Sequence, residues 1–358
     1  MPNKGDTLVK MFRPMGLRAV AALVVAVLVA GCSPASGSQD QNDSQDEVPQ
    51  ALVVYSGRSE SLVAELFEQF TTQTGIPLEV RYADSGELAA LLLTEASSSP
   101  ADVYFSQDAG ALGAVENAGL LDALPDDVVS LVDARFRSTS GKWVATSGRA
   151  RVIVYNPSLV TSVPESIDDL LDPTWKGKIG FAPTNASWQS FVTALRVIRG
   201  EDAARAWLEG FKANDPVAFE KNGAVRDAVN SGEVAIGLVN HYYLYEKIAA
   251  EGADAVVARN HFFTNGDVGG LVNVAGIGVL SSSEKKESAL ELVKFLLSAQ
   301  GQQYFALKTF EYALASGVAS YSELPTLEEL NPPTIDLSDL RSINETQELL
   351  AEVGLLTL

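Results

Sequence analysis

The sequence predicts an α/β fold of two lobes joined by crossing strands, with a ligand cleft between the lobes. Three observations carry this reading. Residues 51–106 alternate strand and helix patterns, a second alternation begins beyond Val144, and a long apolar strand at 271–280 leads into two further helices. Alternating strands and helices build a mostly parallel sheet covered by helices. A folded part of about 300 residues also exceeds what one hydrophobic core usually serves.

The elements follow in order. Residues 51–55 are an apolar, β-rich run; Leu62, Leu66 and Phe70 then recur at helical spacing until Gly75-Ile76-Pro77 stops the helix. Residues 78–82 alternate as a strand, 87–95 form a Leu- and Ala-rich helix, and 101–106 form another strand. The second lobe has strands at 151–155 and 179–182, separated by the turn Asn156-Pro157, and helices at 188–199 and 202–212. A helix at 224–230, a strand at 234–239 and a helix starting near Tyr242 complete it. The strand at 271–280 is long enough to cross back to the first lobe, ahead of amphipathic helices at 284–297 and 300–307. Residues 51–145 and 270–320 are thus expected in the N-terminal lobe, and 146–269 and 321–358 in the C-terminal lobe. A ligand of such a fold binds at the carboxyl ends of the strands.

Ahead of the fold, Lys4, Lys10, Arg13 and Arg18 precede an uncharged run at 19–30. A spanning helix needs roughly 20 apolar residues and a signal-peptide core about 7 to 15, so the run reads as a signal peptide over 1–31. Val29-Ala30-Gly31-Cys32 resembles the lipobox of bacterial lipoproteins, which implies a lipid on Cys32 and anchorage to the cell membrane on its extracytoplasmic side. Cys32 is the one cysteine of the chain, so it has no intrachain disulfide partner. Residues 33–50 are rich in Ser, Gln, Asp and Asn and read as a flexible tether. Removing the leader, with four basic residues and Asp6, takes the formal charge from −20 to −23. That charge argues against nucleic acid or anionic lipid as a partner.

Catalytic motifs are absent. There is no His-Glu-x-x-His, no Gly-x-Ser-x-Gly and no complete phosphate loop, and His241 and His261 are the only histidines. Ser140-Gly141-Lys142 fails as a phosphate loop because Phe136 stands at the upstream glycine position and Trp143 at the hydroxyl position. Gly276-Ile277-Gly278 reads as close packing in a strand. No enzymatic activity is expected.

The most informative segment is Asn240-His241-Tyr242-Tyr243-Leu244-Tyr245, where a buried strand meets a helix. Phenolate oxygen is a hard anionic donor suited to a hard cation such as Fe(III). The positive end of a helix dipole favours ionised phenols at its start. On residue type alone, aromatic packing beneath a cleft is the better account of the pair, since paired tyrosines are common.

Five segments in order resemble the ferric-ion-binding proteins of bacterial iron-uptake ABC transporters: Val54-Tyr55-Ser56-Gly57-Arg58, Pro100-Ala101-Asp102-Val103-Tyr104-Phe105, Ser147-Gly148-Arg149-Ala150-Arg151-Val152, Trp175-Lys176-Gly177-Lys178-Ile179-Gly180 and Asn240-His241-Tyr242-Tyr243. The resemblance implies the type II periplasmic-binding-protein fold, Fe(III) as transported ligand, Tyr242 and Tyr243 as its ligands, and a synergistic anion, carbonate or phosphate. It casts Arg58, with Ser59 beside it, as anion partner in a loop that lacks the family's histidine. A glutamate ligand of some members falls near Gln107, and a third tyrosine of others near Asn185. Asn185, Ala186 and Ser187 precede a helix whose N-terminus can bind an anion, or Asn185 and Ser187 simply cap it. Asn222 and Asn240 match positions that support the anion in phosphate-using members, or are equally turn or cap residues. The implied partner is an ABC permease, served by a monomeric, lipid-anchored extracytoplasmic protein; the alternative is a binding protein for a non-metal solute such as an oxyanion, phosphonate or polyamine.

Overall fold

Strand β1 (Leu52–Ser56) lies between β2 (Leu78–Tyr82) and β3 (Val103–Ser106), parallel to both. The intervening α1 (Glu60–Thr74) buries Val63, Leu66, Phe67 and Phe70, the stripe that helical spacing marks. It stops at Gly75, whose φ of 74° suits a residue without Cβ. Next come α2 (Ser85–Glu95), α3 (Ala109–Asn117) and the short α4 (Asp126–Val129). The structure is a computed structural model that describes residues 50–357; the basic leader, Cys32 and residues 33–49 of the polar tether lie outside them. Among the described residues, no helix is long and apolar enough to cross a membrane.

The architecture turns on β4 (Val144–Tyr155). Its first half, Val144 to Ala150, runs antiparallel to β9 (Val272–Val279), which pairs on its other side with β3. Its second half, Arg151 to Tyr155, runs antiparallel to β7 (Ile236–Asn240) and β8 (Arg259–Phe262). One strand therefore belongs to two sheets, β2-β1-β3-β9-β4 and β6-β5-β7-β4-β8, where β5 (Ile179–Phe181) and β6 (Val217–Ala218) complete the second. Helices α5 (Ala186–Arg199), α6 (Glu201–Ala213), α7 (Asn222–Ser231) and α8 (Tyr242–Glu251) follow within that half.

Two expectations are corrected here. The strand at 271–280 does not itself cross: β9 lies wholly in the first sheet, and the return passage is the segment between β8 and β9. The crossing strand is β4, which extends the strand expected at 151–155 back to Val144, because its polar residues Thr146, Ser147 and Arg149 mask the strand pattern although they are buried. The glycines of Gly276-Ile277-Gly278 behave as expected: a Cβ on Gly276 would stand 2.8 Å from Leu112 and 3.0 Å from the Val144 carbonyl oxygen.

The chain continues through α9 (Lys286–Leu297), α10 (Ala299–Leu307), β10 (Tyr312–Ala313), which pairs with the first half of β4, and the short α11 (Leu327–Leu330). Its last part touches both halves. The 3-10 turn Leu337–Arg341 packs on α3 and α5, and α12 (Ile343–Val353) packs on α5 and α6.

Candidate functional site

The buried strand β7 ends at Asn240, and the chain turns through His241 into α8. His241 is fully buried; its Nδ1 accepts from the Ala150 N–H at 3.1 Å, and Nε2 meets the Phe310 carbonyl oxygen at 2.7 Å, which assigns the ring proton to Nε2. Burial pushes its pKa down to about 4, so the ring is neutral and both nitrogens are spent on the backbone. His241 thus fixes the corner from which the tyrosines project.

Tyr242 is buried and Tyr243 half-buried; their rings stack with centroids 4.3 Å apart at 27°. Burial first, and then the neighbouring Tyr243, pushes the Tyr242 phenol well above its ordinary range, while the Arg149 guanidinium opposes the shift. At neutral pH the phenol therefore keeps its proton. Arg226 donates to the Tyr243 carbonyl oxygen at 2.9 Å and ties this first turn to α7.

Two residues of β4 face this pair from one side of the strand. Arg149 donates to the Gln107 carbonyl oxygen and its Nε lies 3.8 Å from Glu311, yet that Nε makes no hydrogen bond. Arg151 donates to the Ser187 hydroxyl at 3.2 Å, lies 5.2 Å from the Phe191 ring centre, and leaves Nη2 buried without a partner. Burial pulls its pKa down to about 9, which leaves it charged at neutral pH, and Tyr243 supports that charge.

Arg151 leads to the N-terminus of α5. Asn185 caps that helix, its Oδ1 accepting from the Ser187 N–H at 2.9 Å and from the Ser187 hydroxyl at 2.7 Å. Asn222 donates to Asn185 Oδ1 at 3.1 Å and to Ser187 Oγ at 3.0 Å, and its own Oδ1 is buried without a partner. Ala186 opens the helix, and Asn240 is buried opposite Arg151 in the β4–β7 register. Arg151 was not singled out from sequence. Its signal was its spacing of two from Arg149, which puts both on one strand face.

Arg58, expected as an anion partner, has an internal partner in this structure. Its fork is closed on Glu311, with Nη1 to Oε1 and Nη2 to Oε2 both at 2.8 Å, and Nη1 also donates to Gln107 Oε1 at 2.8 Å. A guanidinium this buried needs a paired carboxylate, and only its Nε is left without a partner. Glu311 further accepts from Ser147 at 3.1 Å and Thr309 at 2.8 Å. Burial pushes its carboxyl up, but the Arg58 and Arg149 charges outweigh this and hold it below the usual range. Ser59 is exposed at the start of α1, 3.4 Å from the Ser61 hydroxyl, and makes no cap bond. Half-buried Gln107 is held by Arg58 through its side chain and by Arg149 through its carbonyl.

Among the described residues no three His, Cys, Asp or Glu side chains gather as a metal site. A depression of about 370 Å³ lined by Glu165, Ser166, Arg199 and Asp267 lies apart from the tyrosines and carries none of this chemistry. The hard donors are the two phenols, beside a basic, hydrogen-bonding cradle.

Residues 56–303 match the family model of bacterial extracellular solute-binding proteins. The chain is 34% identical over 345 residues to the Fe(3+)-binding periplasmic protein of Serratia marcescens, covering 96% of this chain and 100% of that one. The chain is a bacterial extracellular solute-binding protein of the ferric-ion-binding family. The iron-bound HitA protein of Pseudomonas aeruginosa superposes on this solute-binding protein with a TM-score of 0.80 at 33% identity, covering 86% of this chain and 100% of that one. The Trichodesmium FutA protein, solved with iron and citrate, gives 0.73 at 29% identity over 85% and 99% of the two chains. These likenesses establish the two-lobed type II fold, and they place the protein among binding proteins rather than enzymes.

Proposed function

We propose that this solute-binding protein captures Fe(III) between its lobes with a small anion, carbonate or phosphate, and delivers it to an ABC permease for uptake. The observation that carries this is the stacked pair Tyr242–Tyr243 at the start of α8, facing Arg149 and Arg151. Two phenolates are hard donors that leave an Fe(III) ion one positive charge and open coordination positions. The cradle of Asn185, Ala186, Ser187, Asn222, Asn240 and Arg151 at the α5 N-terminus suits an anion there, through helix-end amides and a charge-assisted donor. The printed names of the Serratia, Pseudomonas and Trichodesmium relatives support iron as the cargo.

In this reading the lobes are 51–145 with 270–320 and 146–269 with 321–358. Hinge closure about β4 brings Gln107 on one lobe towards the tyrosines on the other and excludes water. The protein works as a monomer, tethered outside the cell membrane by a lipid on Cys32, within reach of its permease.

Purified mature protein should take up one Fe(III) with a visible phenolate-to-iron band, and iron should raise its melting temperature, since a ligand at 100 times its Kd adds about 2.7 kcal/mol. The double variant Tyr242→Phe, Tyr243→Phe should lose the band. A variant that kept it, or a wild type that bound a phosphonate or polyamine and ignored iron, would overturn the proposal.

A further inference from the structure

Before any anion arrives, two phenolates leave a bound trivalent cation one positive charge and open coordination positions. Arg58, Arg149 and Arg151 are all buried nearby, and Glu311 is committed to Arg58, Arg149, Ser147 and Thr309. His241 has both ring nitrogens bound to the backbone, and Gln107 is neutral and held by Arg58. Asp227 is tied to Arg226 and Lys247, and Glu60 is exposed at the start of α1.

Glu246 is not committed in this way. Glu246 lies on α8 four residues after Tyr242 and three after Tyr243, so it shares their helix face. Side chains on a helix lean towards its N-terminus, which directs Glu246 back over the turn that carries the tyrosines. It is half-buried, and no hydrogen bond contributes to its environment. The charges of Arg226 on α7, Arg58 and Glu311 all act on it.

We infer that Glu246 is a third protein ligand of the bound cation, supplying a carboxylate beside the phenols of Tyr242 and Tyr243. This rests on the iron reading above. The carboxylate neutralises the charge that the phenolates leave, without spending a group that holds the fold. It also lets one helix turn, with its tip fixed by His241, present three anionic oxygens to the ion before the lobes close. The second lobe alone would then hold iron in the open form, and closure would add the anion and exclude water.

The test uses the full mature protein as wild type, Glu246→Gln, Glu246→Asp and the double tyrosine variant, each titrated with Fe(III) against a competing chelator while the visible band is recorded. Unliganded Glu246→Gln should melt at the wild-type temperature, because no structural bond is removed. Its iron affinity should fall on the order of 100-fold. Its band should persist but move to longer wavelength, because a neutral donor leaves the iron more electron-poor and lowers the phenolate-to-iron transition. An unmoved band with unchanged affinity in Glu246→Gln overturns the inference. So does an unmoved band with weaker binding that Glu246→Asp fully restores, which is the behaviour of a charge acting through space. Failure of the parent reading looks different: there the wild type has no band, or the double tyrosine variant keeps it.

Discussion

Arg58 and Glu311 lie 253 residues apart in sequence and meet as a bidentate pair, each of the two N–H···O contacts 2.8 Å, with side-chain exposures of 1% and 2%. The pair ties the loop after β1 to the segment before β10, and through Arg58 it also sets the side chain of Gln107. Removing one partner of such a pair strands the other charge. Glu311→Gln should therefore lose about 3–5 kcal/mol in urea unfolding at neutral pH. The folded carboxyl sits below the usual range, so its contribution is present above the unfolded pKa of about 4.3 and is lost as pH falls through the folded value. The stability of the variant should accordingly fall less steeply than that of the wild type below about pH 4. A variant as stable as the wild type at pH 7 would show that the pair contributes nothing.

The C-terminal segment is seated on α3 through two glycines. A Cβ on Gly113 would lie 2.6 Å from the Ser338 carbonyl oxygen, and one on Gly110 would lie 2.5 Å from that of Leu340, both backbone atoms that cannot swing away. Gly113→Ala should cost about 1–3 kcal/mol. Gly86→Ala, in open space in the first turn of α2, should be neutral or stabilise by up to about 1 kcal/mol. Thermal unfolding of the two variants side by side checks the contrast.

Asp108 joins the halves behind the cleft. Its carboxylate caps α3 at the Gly110 and Ala111 N–H groups, 2.7 and 3.2 Å away, and accepts from Ser190 of α5 at 2.7 Å and Asn273 of β9 at 2.6 Å. Asp108→Ala removes the cap and strands two buried donors, so a loss of at least about 2 kcal/mol is expected. Ser190→Ala, which leaves the cap intact, should cost roughly 1 kcal/mol. Equal losses in the two variants would contradict this ordering.

Capping of α5 and the anion binding proposed there can be separated. Asn185→Ala should cost about 1 kcal/mol and Asn185→Gly only a few tenths, because glycine is a tolerated cap. Arg151→Gln should leave the cap intact yet weaken phosphate binding to the iron-loaded protein roughly 10- to 100-fold, the worth of a charge-assisted hydrogen bond. Calorimetry with phosphate reads this directly, and unaltered phosphate affinity in Arg151→Gln would remove Arg151 from the anion site.

By itself the sequence determined the alternation of strands and helices, the amphipathic stripe of α1 and the strand-to-helix step at Tyr242. These are local properties: side-chain periodicity acts within a few residues of chain. It also marked the tyrosine pair as suited to a hard cation, through donor chemistry that belongs to the residue type. Tertiary structure decided what required distant segments to meet. It made β4 one strand of two sheets despite Arg149 and Arg151 within it, it closed the Arg58 fork on Glu311, and it gave His241 two backbone partners. It also left Glu246 half-buried without a hydrogen-bonding partner, whereas Glu311 is engaged by Ser147 and Thr309. The physical reason is burial. Whether a charged side chain is free for a ligand or held by a neighbour depends on which opposite charge is enclosed with it, and no local pattern records that partner.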